Sequence, residues 1–273
     1  MNASQSLPSF EKRLPFLDQF ILELAEEYHT EKINSWEELD REVKAFFTSE
    51  RMAEMEVLVP GWKKMAAYGD GITLTHVMCV FLGLYRMPEF LGMADEQKEI
   101  MKWVILFHDV EKEPQNGKRD HAHAFRSAVG AARTLPSLGF PFTPEYDSII
   151  DDWDQFTRSA ITKLENSPDD VQDNDKLPEI LPGIERMFGR HTPADMIIRT
   201  ILLHLSVNMK EWPPPNPLSQ EEVKRCVDHE LMPLLRVMNL ADNDGWTLFD
   251  PTVNERQRLD VLEEFEKVER IIS

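Results

Sequence analysis

The chain of 273 residues is 42% hydrophobic and 9% aromatic, which excludes disorder of the whole chain. Its net charge of −19 argues against nucleic-acid polymers and anionic membranes as partners, because both are bound through basic surfaces. A small anionic ligand is compatible with this charge, since a bound divalent cation can dominate the local field of an acidic protein.

Cysteine content and the N-terminal segment bear on the compartment. The chain has only Cys79 and Cys226, so the sequence indicates neither a disulfide framework nor a thiolate zinc site. The first residues lack the charged and then apolar pattern of a signal peptide, and no apolar run approaches the roughly 20 residues that span a bilayer. We therefore expect a cytoplasmic protein, whose oligomeric state the sequence does not indicate.

Apolar residues recur at helical spacing along almost the whole chain, which predicts an all-α fold with only short strands. Helix-start signals agree with this, for example Ser219 with Glu222, and Thr192 followed by Pro193. In chain order, the predicted helices cover residues 9–29, 36–57, 72–86, 95–108, 121–135, 145–165, 193–210, 219–241 and 253–272.

Two segments are predicted to be surface loops. Residues 166–183 contain an acidic run that cannot pack, and residues 211–219 contain prolines that forbid a helix. Neither segment is long enough to require a second domain, so we expect a single domain over residues 1–273. The amphipathic C-terminal helix is expected to dock on this domain rather than to form a free coiled coil.

Polar side chains occupy two positions at which helical spacing predicts a buried residue. His204 continues the apolar stripe formed by Ile197 and Ile201, and Asp242 continues the stripe that includes Met238. A buried carboxylate without a partner is costly or takes up a proton. We therefore expect Asp242 to have a cation as its partner.

Further polar residues follow or interrupt apolar helices. His108 and Asp109 end the run WVILFHDVEK, His76 lies within a second apolar helix, and His123 begins a helix of small residues. A single buried histidine is more often a hydrogen-bonded core residue, and a histidine that ends a helix also complements the helix dipole. Imidazoles and carboxylates that several helices carry inward are, however, the ligand set of divalent metals. We expect a shared metal site.

The order of His76, the His108–Asp109 pair and Asp242 resembles the HD superfamily of metal-dependent phosphohydrolases, named for the adjacent histidine and aspartate. FHDVEK resembles the family's His-Asp-x-x-Lys segment, and HAFRSA resembles its next helix. IIRTILLH resembles the family's helix that carries a further histidine. LLRVMNLADNDG resembles the family's helix that ends in the last aspartate. The resemblance implies a compact multi-helix bundle over about residues 61–250, with extra helices in 1–60 and 251–273.

Family members with two further histidines between the pair and the last aspartate bind two metal ions. His123 and His204 occupy those places here, so the resemblance implies a dinuclear site that Asp109 bridges. The metals expected from this ligand set are Mn, Fe, Mg, Ni or Zn. The implied ligands are His76, His108, Asp109, His123, His204 and Asp242.

The resemblance also implies a substrate, which would be a phosphate mono- or diester such as a nucleotide. Asp109 and Lys112 are the predicted catalytic residues, with Asp109 holding the attacking water. Lys112 and, with a weaker signal, Arg126 are predicted to bind substrate phosphate; the alternative for Lys112 is an ordinary exposed lysine.

Several alternatives stay open at this point. Asp244 competes with Asp242 as the last ligand, and His121 is expected to be a solvent-exposed loop or substrate-facing residue. Some members with six ligands resemble inositol oxygenase, whose di-iron site activates oxygen instead of cleaving a phosphate ester. A regulatory module that keeps its metal but has lost turnover is a third alternative.

Overall fold

The computed structural model describes residues 7–113, 120–163, 169–207 and 218–273. Helices dominate these residues, which confirms the predicted all-α fold. The helices are α1 (Phe10–Arg13), α2 (Pro15–His29), α3 (Trp36–Phe46), α4 (Ser49–Leu58), α5 (Trp62–Ala67), α6 (Ile72–Arg86), α7 (Pro88–Leu91), α8 (Asp95–Phe107), α9 (His123–Thr134), α10 (Tyr146–Ser159), α11 (Leu177–Phe188), α12 (Pro193–Leu203), α13 (Gln220–Cys226), α14 (Met232–Thr247) and α15 (Pro251–Ile272). Short 3-10 turns cover Tyr68–Gly71, Leu135–Leu138 and Asn174–Lys176.

Three short strands form a small sheet beside the helices. They are β1 (Asp120–His121), β2 (Ile161–Lys163) and β3 (Asp170–Gln172), in the spatial order β1, β3, β2. β3 pairs in parallel with β1, where His121 lies opposite Val171, and in antiparallel with β2. The sheet fixes the path of the chain immediately before α9.

The centre of the fold is α6, which is buried from Thr73 to Leu84. It packs against α14, and α14 packs in turn along α15, while α12 packs against α8 and α9. Phe265 and Val268 of α15 are buried, so the C-terminal helix docks on the body as predicted. Buried apolar side chains form one cluster from Phe10 to Val268, while the extent of the domain stays a prediction.

Two glycines allow α6 and α14 to approach closely. A Cβ atom on Gly245 would lie 2.4 Å from Val80 Cγ2 and 2.6 Å from His76 Cε1. A Cβ atom on Gly83 would lie 2.6 Å from the Cβ of Asp244. These distances are too short for real side chains, so the crossing depends on the missing Cβ atoms. The crossing brings Asp242 of α14 next to His76 of α6.

Several predicted helices are interrupted in the structure. The predicted helix 9–29 breaks at Leu14, because Pro15 starts a new helix at its first position, where no N–H is needed. The predicted helix 36–57 breaks at Phe47, and the Thr48 side chain caps the start of α4. The predicted helix 219–241 divides into α13 and α14, with Pro233 in the first turn of α14.

The prediction that residues 166–183 form a surface loop is wrong for the described part of that segment. It contains β3 and the start of α11, which continues past Pro182. Leu177, Ile180 and Ile184 are fully buried at helical spacing, and their burial outweighs the hydrogen bond that one proline removes. The predicted loop 211–219 lies outside the described residues except for its last two positions.

Residues Trp62–Arg86, which end in α6, are long and apolar enough to cross a membrane on composition alone, with a mean hydropathy of 1.3. However, 67% of the apolar window is buried inside the protein. Core helices of soluble proteins show this same combination of hydropathy and burial. The segment is therefore compatible with a soluble protein.

Candidate metal centre

The six predicted ligands converge in the middle of the fold. His76 lies within α6, His108 and Asp109 directly follow α8, His123 begins α9, His204 directly follows α12, and Asp242 lies in α14. Five of these side chains are buried, whereas the side chain of Asp242 is 27% exposed. The cluster therefore reaches solvent on the side of Asp242.

His76, His108 and Asp242 form a group that can hold a metal ion, since one ligand atom from each lies within 4.8 Å of the others. His76 Nε2 is 2.9 Å from Asp242 Oδ1, and His108 Nε2 is 3.8 Å from the same oxygen. The Oδ2 atom of Asp109 lies 3.7 Å from His76 Nε2 and 3.6 Å from His108 Nε2. Asp109 thus faces this group with one of its two oxygens.

His123 and His204 form a second group on the other side of Asp109. The Oδ1 atom of Asp109 lies 3.1 Å from His123 Nε2, which is 3.2 Å from His204 Nε2. One carboxylate therefore directs a different oxygen toward each group of imidazoles. Asp109 therefore lies between the two groups of histidines.

Backbone carbonyls fix the orientation of three of the four imidazole rings. In each case Nδ1 bonds the carbonyl oxygen three residues earlier, and the distances are 2.7 Å for His108 and Ile105, 2.7 Å for His123 and Asp120, and 2.6 Å for His204 and Ile201. Because a carbonyl oxygen only accepts hydrogen bonds, Nδ1 carries the proton of each neutral ring. The Nε2 atoms of His108 and His123 then face Asp109, whereas Nε2 of His204 faces His123, and such a free Nε2 is the atom with which histidines bind metals.

Two of these inward atoms have no hydrogen-bond partner among the described residues. They are His108 Nε2 and Asp109 Oδ1, and both are fully buried. Buried acceptors without donors are costly, and a divalent cation would satisfy both atoms. The residues therefore fit a metal ion.

Burial also keeps the histidines in the state that binds metals. Burial lowers the pKa of His108, and it lowers the pKa of His204 to about 3 with a further contribution from the nearby His123. Both imidazoles are therefore neutral at neutral pH, and a neutral imidazole is the form that coordinates a metal.

The carboxylates of the cluster are held ionised. Burial opposes ionisation of Asp109, but the nearby positive charge of Lys112 keeps its pKa well below the usual range. Burial likewise opposes ionisation of Asp242, and the hydrogen bond with His76 lowers its pKa nevertheless. Both carboxylates are therefore negatively charged at neutral pH, as a metal site needs.

Lys112 is part of the cluster and not an ordinary exposed lysine. Its Nζ atom lies 2.7 Å from Asp109 Oδ2, and its side chain is 18% exposed. Burial disfavours the ammonium form, yet the charges of Asp109 and Asp242 raise the pKa of Lys112. A positive charge is thus held between the buried carboxylate and solvent.

Comparisons with family models, with curated proteins and with solved structures found no match. The functional interpretation accordingly depends on the geometry of the cluster and on the motifs that contribute its residues. Both the geometry and the motifs place Asp109 at the centre of the cluster.

The geometry favours Asp242 over Asp244 as the candidate last ligand, because only Asp242 belongs to a group that could hold a metal ion. Asp244 Oδ1 accepts a hydrogen bond of 2.8 Å from Asn254, and Asp244 Oδ2 is 2.8 Å from Nη1 of Arg258. Asp244 therefore stabilises the contact between α14 and α15, whereas Asp242 lies against His76. Two residues in a helix project about 200° apart, which separates their roles.

The expectation that His121 is exposed to solvent is wrong. His121 is only 7% exposed, because β1 pairs with β3 and covers it. The sequence did not reveal this strand, since pairing between two segments of two or three residues depends on long-range contacts rather than on periodicity.

Arg126 lies beside the cluster and is held by carboxylates. Its guanidinium pairs with Asp120, its Nε donates to the Glu111 carbonyl at 3.3 Å, and it lies 4.0 Å from Asp170. Contact of Arg126 with a substrate stays a prediction. The structure instead shows that Arg126 anchors Asp120, whose carbonyl oxygen orients the ring of His123.

Asp120 and Trp246 are site residues that sequence reasoning missed. The carboxylate of Asp120 accepts hydrogen bonds from the backbone N–H of Glu113 at 2.7 Å and of Ala122 at 3.1 Å. Trp246 stacks on the ring of His76 with the centroids 4.0 Å apart and the planes 15° apart. Trp246 could have been found from its position one helical turn after Asp242.

Proposed function

We propose that the protein is a metal-dependent phosphohydrolase of the HD superfamily that cleaves a phosphate mono- or diester with a metal-activated water. The observation that carries this proposal is Asp109, a buried ionised carboxylate between two groups of inward-facing imidazoles. A network with unpartnered buried acceptors has little value for stability, whereas such networks are common at functional sites.

In this proposal His76, His108, Asp109 and Asp242 hold one metal ion, and Asp109, His123 and His204 hold a second. Bound divalent metals, which we expect to be Mn, Fe, Mg, Ni or Zn, act as Lewis acids and bring the pKa of a bound water toward neutrality. The orphaned Nε2 of His108 and Oδ1 of Asp109 are the atoms that support this assignment most directly.

The protein's own residues supply the rest of the reaction. Asp109 stays ionised because the positive charge of Lys112 lies beside it, so it can accept a hydrogen bond from the attacking water and orient that water. Lys112 holds a positive charge beside Asp109 and is partly exposed, so it can neutralise a phosphate oxygen of the substrate. The buried rings exclude bulk water from the reacting group.

The substrate in this proposal is a small phosphorylated molecule, for which a nucleotide is the example. The net charge of −19 disfavours nucleic-acid polymers and anionic membranes, and we place the protein in the cytoplasm. Neither the excluded partners nor the cytoplasmic location depends on the number of metal ions in the site.

The first test compares wild-type protein with Asp109→Ala after loading with manganese. We expect the wild type to bind manganese and to release phosphate from an aryl phosphate or from a member of a nucleotide panel. Asp109→Ala is expected to lose both properties while keeping its helix content in circular dichroism, because Asp109 faces both groups of histidines. Full activity of this variant would show that the site is assigned wrongly.

A histidine outside the cluster provides a matched control for a histidine inside it. His191 contacts Asp228 at 2.8 Å and Glu230 at 3.0 Å, away from the six ligands. His108→Ala is expected to lose metal, whereas His191→Ala is expected to keep it. Iron in both positions with an oxygen-dependent optical change and no phosphate release would instead indicate di-iron oxygenase chemistry.

A further inference from the structure

A tryptophan lies at the point where the metal cluster meets solvent. Trp246 follows Asp242 by one turn of α14, stacks on the buried ring of His76, and is still 48% exposed. An indole that covers a candidate metal ligand on one side and contacts water on another forms part of the wall of the site opening.

A second tryptophan extends this aromatic surface. Trp36, the first residue of α3, lies parallel to Trp246, with the centroids 5.8 Å apart and the planes 9° apart. Trp36 is itself partly exposed, and the Ser35 side chain caps the helix start that positions it by accepting a hydrogen bond from the N–H of Glu38. We call Trp36 and Trp246 the tryptophan shelf.

The shelf lies beside the charged cluster, with Trp246 next to Lys112. The Nζ atom of Lys112 lies 5.6 Å from the ring centroid of Trp246 and 2.7 Å from Asp109 Oδ2. Asp242, the most exposed of the six predicted ligands, is on the same face of α14 as Trp246. A ligand that places a phosphate at Lys112 therefore has its remaining part next to the two indoles.

The chemistry of the shelf indicates what that remaining part is. Indole rings bind flat aromatic groups by stacking, and they do so for every nucleobase because each base presents a π face. A sugar phosphate without a base offers no such face. The shelf therefore suits an aromatic group but does not distinguish one base from another.

We propose that Trp36 and Trp246 determine specificity by binding a planar aromatic group, such as a nucleobase, carried by the phosphorylated substrate. This inference rests on the proposed function for the location of the phosphate. It adds a binding role for two residues outside the ligand set, and it predicts a preference for nucleotides over aliphatic phosphates.

The test compares binding of two slowly hydrolysed probes, the thiophosphate analogues of AMP and of ribose phosphate, to manganese-loaded protein by calorimetry. We expect wild-type protein to prefer the AMP analogue. Trp36→Leu is expected to reduce that preference about tenfold, a typical effect of losing one stacking contact. Trp36→Phe, which keeps a ring, is expected to restore much of the preference.

Two further variants make the result specific to the shelf. Trp246→Leu is expected to act like Trp36→Leu, and its manganese content is measured because Trp246 also touches His76. Phe142→Leu is the matched control, since Phe142 is 49% exposed and its ring packs at a tilt of 50° against Tyr146 instead. Phe142→Leu is expected to keep the wild-type preference.

The outcomes separate this inference from the proposed function. A wild type without preference for the AMP analogue, or an unchanged preference in both leucine variants, overturns the role of the shelf. A preference that falls in those variants supports the shelf even if no phosphate ester is hydrolysed, in which case only the proposed hydrolase activity is wrong.

Discussion

The histidine tautomers explain why Asp109 needs a cation. With Nδ1 of His108 and His123 bonded to backbone carbonyls, their Nε2 atoms are acceptors that face an ionised carboxylate. Lys112 satisfies Oδ2 of Asp109 but leaves Oδ1 without a donor among the described residues. The site is therefore arranged for more positive charge than the side chain of Lys112 supplies.

Lys112→Met tests whether this lysine binds substrate phosphate. We expect kcat/KM for phosphate release to fall about a hundredfold, as on loss of one donor to a developing negative charge, while bound manganese is unchanged. Lys98→Met is the control, because Lys98 lies on α8 and its ion-pair partner among the described residues is the exposed Asp95 at 4.0 Å. Equal kcat/KM in the two variants would contradict a role for Lys112.

At the scale of helices, the site depends on the crossing of α6 and α14. The crossing is close because Gly83 and Gly245 present no side chain to the opposite helix. It brings Asp242 of one helix to 2.9 Å from His76 of the other. The group of His76, His108 and Asp242 that could hold a metal ion thus depends on helix packing.

Gly245→Ala tests this dependence. The added methyl group would lie 2.6 Å from His76 Cε1 and must displace either the ring or the helix. We expect the free energy of unfolding to fall by about 1–3 kcal/mol and manganese affinity to decrease, as measured by denaturant unfolding and metal titration. Gly92→Ala is the control, since its Cβ would meet nothing closer than 3.4 Å and its φ of −80° suits alanine. Equal effects of the two changes would refute the argument.

Sequence periodicity predicted the helices that carry most of the ligands, because α6, α8 and α12 have regular apolar stripes in which a polar residue stands out. It did not predict α11, where an acidic segment and Pro182 obscured the buried positions Ile180 and Ile184. The stack of Trp246 on His76 was also not predictable, since it joins residues far apart in the chain. The local sequence pattern indicates which residues face inward. It does not indicate which of these residues contact one another.

The whole molecule carries a net charge of −19, and the repulsion among its negative charges destabilises the compact state. Salt screens such repulsion over about 10 Å at 0.1 M ionic strength. We therefore expect added potassium chloride to raise the free energy of unfolding of the metal-free protein at neutral pH, as measured by urea unfolding. A decrease with salt would instead show that the surface ion pairs outweigh the general repulsion.

The central claim is that Asp109 lies between two metal ions. Anomalous scattering from crystals grown with manganese tests it most directly, because the method locates each ion independently of activity. We predict one peak among His76, His108 and Asp242, and a second beside His123 and His204, with Asp109 in contact with both. Crystals with full manganese exposure that show fewer than two peaks at these positions would contradict the account.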